Sequence, residues 1–335
     1  MSLETPPVDR RRDLPMPWSL DRPVLQSALA VGSFLVGWLV LAVACTLLVD
    51  AMAPSRLAPL LTPVMQALAA LVAYVAMVRL VERRRPDELA ARRLPHLLGG
   101  VVGGVLLGVG IIAVMMLRGW IHIGDYNPQF AIAGPILTIG LLAGVGEELL
   151  FRGVLLRHAE QLLGTWLAVA AIALLFGAAH QFNPNATWWS TLCVAIEGGV
   201  FLSACYLASR SLWLVIGIHL GWNVLQGPIF GAPVSGVDSA GGVLTSEPTG
   251  NPLWSGGAFG IEASALTLGV FALLSAVLLV RLLVKGRITQ PLWRRRGFRA
   301  RLAQLRADNT ALNALADTMP MDAVDEQPPH SPPRD

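Results

Sequence analysis

The side chains of this sequence with chemistry to offer are two adjacent glutamates, an arginine four residues on, two histidines and an asparagine, all embedded in apolar stretches. Glu147, Glu148 and Arg152 lie in G-V-G-E-E-L-L-F-R, His180 ends F-G-A-A-H, and His219 and Asn223 bracket H-L-G-W-N. A charged group in hydrocarbon costs at least ~2.5 to 3.5 kcal/mol, so such a segment keeps one only where something offsets that cost. Glu148 and Arg152, four apart, share a helix face and can neutralise each other. Glu147 is turned ~100° away, with no local partner, and suits the role of a general base. His219 and Asn223 share one face of another helix, and Phe176 and His180 one face of a third.

A carboxylate and an imidazole together can activate water for attack on a peptide carbonyl, with His219 and Asn223 as donors to the developing oxyanion. Alternatively Glu147, His180 and His219 make a zinc set of the metalloprotease kind, leaving the second glutamate as base. The H-E-x-x-H helix that usually carries such a site is absent, and both mechanisms stay open.

The elements that must position these groups follow from composition. Of 335 residues 54% are hydrophobic and 14% charged, which describes a chain whose solvent is lipid. Runs long enough to cross a ~30 Å hydrocarbon core fall at about 24–49, 57–80, 97–117, 136–156, 163–181, 188–208, 212–230 and 258–283. The expected fold is an all-α polytopic bundle of about eight transmembrane helices. Counting 1.5 Å per residue from the inner ends sets Glu147, His180, His219 and Asn223 at depths of roughly 20, 25, 12 and 18 Å, compatible with convergence near mid-membrane.

The net charge of +3 does not signal a nucleic-acid partner. With a cytoplasmic N-terminus, 22 of the 25 basic residues fall on the inner side, the positive-inside pattern of a membrane protein with both termini cytoplasmic. Cys45, Cys193 and Cys205 lie within spans without paired spacing and read as packing residues. The first span has no small-residue cleavage site after it and reads as a retained signal anchor.

Three parts of the chain are expected: a disordered cytoplasmic tail over 1–22, a membrane domain over 23–285 with its catalytic core at about 136–230, and a basic, largely disordered cytoplasmic tail over 286–335. Residues 231–257, dense in Gly, Ser and Pro, read as a connecting loop. Glu197, in mid-span, is expected to pair with a neighbouring helix, with cavity lining as the alternative. Trp188, Trp189 and Trp222 read as interface or packing aromatics.

Taken in order, E-E-L-L-F-R, F-G-A-A-H and H-L-G-W-N resemble the CPBP family, which comprises CAAX-type intramembrane proteases and bacteriocin-processing or immunity proteins. The likeness covers about residues 136–230, and Q-G-P-I-F-G with G-G-A-F-G-I-E-A-S resembles its bacterial branch, in keeping with an Ala- and Arg-rich composition holding one Lys. The resemblance implies an endopeptidase of the bacterial cytoplasmic membrane acting on a membrane-associated protein or peptide. It assigns Glu147 and His180 to water activation and His219 and Asn223 to the oxyanion, with Glu148 beside them and Arg152 in support. It leaves zinc dependence and a metal-free glutamate mechanism as alternatives. A non-proteolytic scaffold or immunity-type protein and, third, a transporter are the competing readings; no inverted repeat favours the last.

Overall fold

The computed structural model describes residues 23–238, 241–295, 297, 304–305 and 307–310. The N-terminal tail over 1–22 and most of the expected C-terminal tail lie outside them. Among the described residues, seven helices are long and apolar enough to cross a membrane. The fourth, Ala133–His180, has 48 residues, about 72 Å of helix and more than twice a hydrocarbon core. Gly164 breaks it, with φ 77° and ψ 170°, a conformation open to glycine and costly to other residues. Glu147 and His180, on either side of that break, face each other, so the two arms run antiparallel and the bundle has eight legs. They are named α1 (Pro23–Met52), α2 (Ala58–Val81), α3 (Pro95–Leu117), α4 (133–163), α5 (165–180), α6 (Trp188–Ser209), α7 (Leu212–Ile229) and α8 (Ala265–Val284). The chain is thus a multi-pass integral membrane protein.

The last leg starts later than the apolar pattern suggests. Residues 256–264 belong to the preceding connection, because Gly256, Gly257 and Gly260 take positive φ and Ser264 caps α8 by accepting from Thr267 N–H. The Gly-rich loop also contains regular structure: β2 (Leu244–Pro248) pairs antiparallel with β1 (Ile121–Tyr126), joining Ile121 to Pro248 and Ile123 to Ser246. Trp120 stacks on Trp254 beside this ribbon, ring centroids 4.9 Å apart.

Two contacts set the geometry of the core. Legs α3 and α7 touch backbone to backbone: a Cβ on Gly100 would overlap Leu214 O, and one on Gly217 or Gly221 would overlap Leu97 O or Val101 O. Small residues at such a crossing let helices pack where lipid offers no hydrophobic drive. At the end of the bundle carrying residues 82–93, polar groups tie the legs together. Arg157 pairs with Glu82, His158 Nε2 lies 3.0 Å from Glu82 Oε1, and Arg84 bridges Glu82 at 2.6 Å and Glu88 at 2.7 Å. Burial alone would raise the Glu82 carboxyl, but hydrogen bonds from His158 and Arg157 and the charges of Arg157 and Arg84 outweigh it and hold it at about 2.

Arg210 clamps Glu160 at 2.6 and 2.9 Å. Thr289 N–H donates to Thr165 Oγ1, and Thr165 N–H to Thr289 O. Residues 286–289, grouped with the tail by composition, are therefore anchored on the bundle. Beyond Gln290 the chain forms a separate unit whose described residues are short helical turns.

Candidate active site

The site grows from the α4–α5 hairpin and the leg α7 that packs against it. On α4, Glu148 and Arg152 are fully buried and joined at 2.8 Å, the i, i+4 pair that their spacing calls for. The same carboxylate oxygen, Glu148 Oε1, meets His219 Nδ1 from α7 at 2.8 Å. One carboxylate thus links α4 to α7, and His219 is oriented through its Nδ1 by a carboxylate 71 positions away in the chain. Arg152 also reaches Gly198 O on α6 and lays its guanidinium over the Phe176 ring, 4.9 Å from the centroid.

Phe176 passes this order on to His180. The two rings stack at 4.6 Å and 29°, and Phe151 meets Phe176 edge-on at 4.8 Å. On α6, Gly198 is the floor, since a Cβ there would overlap the Phe176 ring. His180 Nδ1 lies 2.8 Å from Phe176 O. A carbonyl only accepts, so Nδ1 carries the proton and Nε2 is left free. That Nε2 faces Glu147 Oε2 across 3.9 Å, too far for a direct hydrogen bond and the right span for a bridging water. Glu147 Oε2 is buried and has no hydrogen-bond partner among the described residues.

Asn223, one turn beyond His219, donates through Nδ2 to Ile139 O at 2.9 Å, retaining a second amide N–H. His180, His219 and Asn223 line one cavity between α5, α6 and α7, with about 50 Å³ open to a water-sized sphere. One water needs ~10–15 Å³, so the cavity admits several waters or a small part of a substrate. Glu147, which faces His180, borders a separate groove of about 590 Å³ against Trp38 on α1 and Gln66 on α2.

The donor set does not match the zinc alternative. Among the described residues no three His, Cys, Asp or Glu side chains are grouped to hold one metal ion. His219 Nδ1 is engaged by Glu148 at 2.8 Å, and His180 Nε2 faces Glu147 across 3.9 Å.

Two further carboxylates enter the cavity. Glu197 Oε1 is buried and unpartnered, contrary to the expected interhelical pairing, so the cavity-lining alternative holds. Glu262, which the pattern of apolar runs assigns to the eighth span, lies before α8 and accepts four hydrogen bonds. Trp222 Nε1 (3.1 Å) and Gln226 Nε2 (2.9 Å) come from α7, and Ser235 N (2.8 Å) and Oγ (2.6 Å) from the loop. It fastens a turn with Ser235 at φ 49° against the cavity. Its signal in the sequence was a carboxylate inside a Gly-rich stretch between apolar runs. Trp222 is accordingly a hydrogen-bonded wall of the site as well as a packing residue, and Trp189 donates to Ala263 O at 2.8 Å.

Residues 129–225 match the family model described as type II CAAX prenyl endopeptidase Rce1-like. This segment is an Rce1-like domain of the CPBP family. The Rce1-like domain begins just before α4 and ends two residues past Asn223, so it contains Glu147, Glu148, Arg152, His180, His219 and Asn223. Legs α1 to α3 and α8 lie outside it, as does Glu262. No curated protein and no solved structure matches the chain. An Rce1-like domain in a multi-pass chain supports an intramembrane protease in general terms.

Proposed function

We propose that the chain is an intramembrane endopeptidase that hydrolyses a peptide bond of a membrane-associated protein or peptide, using water activated between Glu147 and His180. The observation that carries this reading is the 3.9 Å opposition of Glu147 Oε2, which has no hydrogen-bond partner among the described residues, and His180 Nε2. A water about 2.8 Å from both atoms completes that triangle. Glu147 takes a proton as the water oxygen attacks the carbonyl carbon, while His180 Nε2 accepts from the water and aims it. His219, as a doubly protonated ring with Nδ1–H held by the Glu148 carboxylate, offers Nε2–H to the oxyanion, and Asn223 offers its second amide N–H. Collapse of the tetrahedral intermediate breaks the C–N bond, and the proton held by Glu147 passes to the leaving amine.

Arg152 holds Glu148 in place through their 2.8 Å ion pair, and the Phe176 ring keeps His180 at the correct height. Both termini are read as cytoplasmic, from the excess of basic residues on that side. The test is cleavage of a membrane-reconstituted peptide library by the purified chain, beside Glu147→Ala and His180→Ala. The reading expects cleavage by the native chain and loss in both variants; equal cleavage by all three, or none by the native chain, would sink it.

A further inference from the structure

Glu197 has no task in the hydrolytic step, yet its setting is unusual. It is 5% exposed, it sits on α6 in the cavity that His219 also lines, and its Oε1 has no hydrogen-bond partner among the described residues. The neighbouring Glu262 is saturated by four donors and has none to share. A buried carboxyl oxygen left unmatched costs free energy comparable to a lost hydrogen bond or more, so such an oxygen on a residue that lines a cavity is poised for a donor brought from outside.

The local chain explains why the carboxyl stays there. Residues 195–201 form a π-helical stretch, a geometry that recurs at functional sites. Gly198 and Gly199, the next two residues, are closed off by the Phe176 ring and by Ala173, which lock α6 against α5. Glu197 therefore cannot withdraw by a rotation of its helix. The cavity lining also carries the apolar side chains of Val194, Leu202 and Phe271, and the nearby acceptor Glu262 is already taken up by its four donors.

We infer that Glu197 is a substrate-recognition residue, its Oε1 accepting a hydrogen bond from a donor-bearing side chain of the substrate held next to the scissile bond. The chemical class is an amine, guanidine, amide or hydroxyl in preference to an aliphatic group. An apolar side chain at that position leaves the carboxyl unmatched, and rejection on such grounds is stronger than rejection by size alone. This inference rests on the hydrolytic reading above.

The test uses the full chain in liposomes and a positional-scanning peptide set carrying Lys, Gln or Leu at each position in turn. The native chain is expected to favour Lys or Gln over Leu at one position by about ten- to hundredfold in kcat/KM. Glu197→Leu is expected to erase that ratio, and Glu197→Gln, which retains an acceptor oxygen, to keep the preference for the Gln peptide. An unchanged ratio in Glu197→Leu overturns the inference, as does an equal fall for every peptide in both variants, the mark of a structural role. If the native chain cleaves no peptide, the hydrolytic reading fails on its own account. Fluorescence anisotropy of the same peptides on native and Glu197→Leu chains then decides the recognition claim: a preference for donors that Glu197 supplies supports it, and equal binding overturns it.

Discussion

His180 Nε2 stands 3.9 Å from Glu147 Oε2 because the fourth helix turns back on itself at Gly164. The break lies almost midway between the two residues, so the antiparallel arms bring them to one level. Gly164 is as much a condition of the site as either functional side chain, since at φ 77° an L-residue there is strained.

The Glu148–Arg152–His219 cluster predicts a strong asymmetry. Arg152→Met removes the cation facing a carboxylate that is 0% exposed, and is expected to lower stability by about 3–5 kcal/mol, because breaking a buried pair strands its partner. Thermal unfolding in detergent reads this directly. Arg152→Lys should recover little, since one ammonium cannot serve Glu148, Gly198 O and the Phe176 face together.

Phe176→Leu keeps apolar bulk but removes the ring stacked on His180 at 4.6 Å. If that ring sets the imidazole height, kcat falls about ten- to hundredfold with KM little changed. A steady-state analysis on any cleaved peptide separates this outcome from a loss of binding.

The close crossing of α3 and α7 predicts that Gly217→Ala destabilises the bundle by at least about 2 kcal/mol, as its methyl would meet Leu97 O. Gly99→Ala, where a Cβ meets nothing within 4 Å, is the control and should leave the unfolding midpoint in place.

Acid should loosen the end of the bundle built on Glu82. Its carboxyl is held at about 2 in the fold against an ordinary value of 4.5, so the contribution is complete above about 4.5 and is lost as pH falls toward 2. The loss is on the order of 3 kcal/mol. Unfolding midpoints across that window should slope for the native chain and flatten for Glu82→Gln.

Much of this was legible in the residues. Apolar run lengths marked the legs, and the cost of ionisable groups in lipid singled out Glu147, Glu148, His180, His219 and Asn223. The i, i+4 spacing of Glu148 and Arg152 implied their pairing. Three features were not legible, for physical reasons. Which nitrogen of His219 meets Glu148 depends on the α4–α7 distance, which the contacts of Gly140 with Val224 and of Gly144 with Leu220 set, and helical spacing within one segment says nothing of distances between segments. The β1–β2 ribbon joins segments more than 100 positions apart, neither with a strong alternating pattern. Glu262 was hidden because apolar runs on both sides extend a span across a stretch whose glycines, at positive φ, end it.

The central claim is that Glu147 and His180 act on the same water, and the most direct test is a double-mutant cycle in kcat/KM with Glu147→Gln, His180→Gln and the double variant. Groups acting as a unit are not additive, so each single change should cost about 10²–10⁴-fold and the double variant should be little worse than the poorer single one. Losses that multiply would mean that the two residues act independently, and would contradict the account.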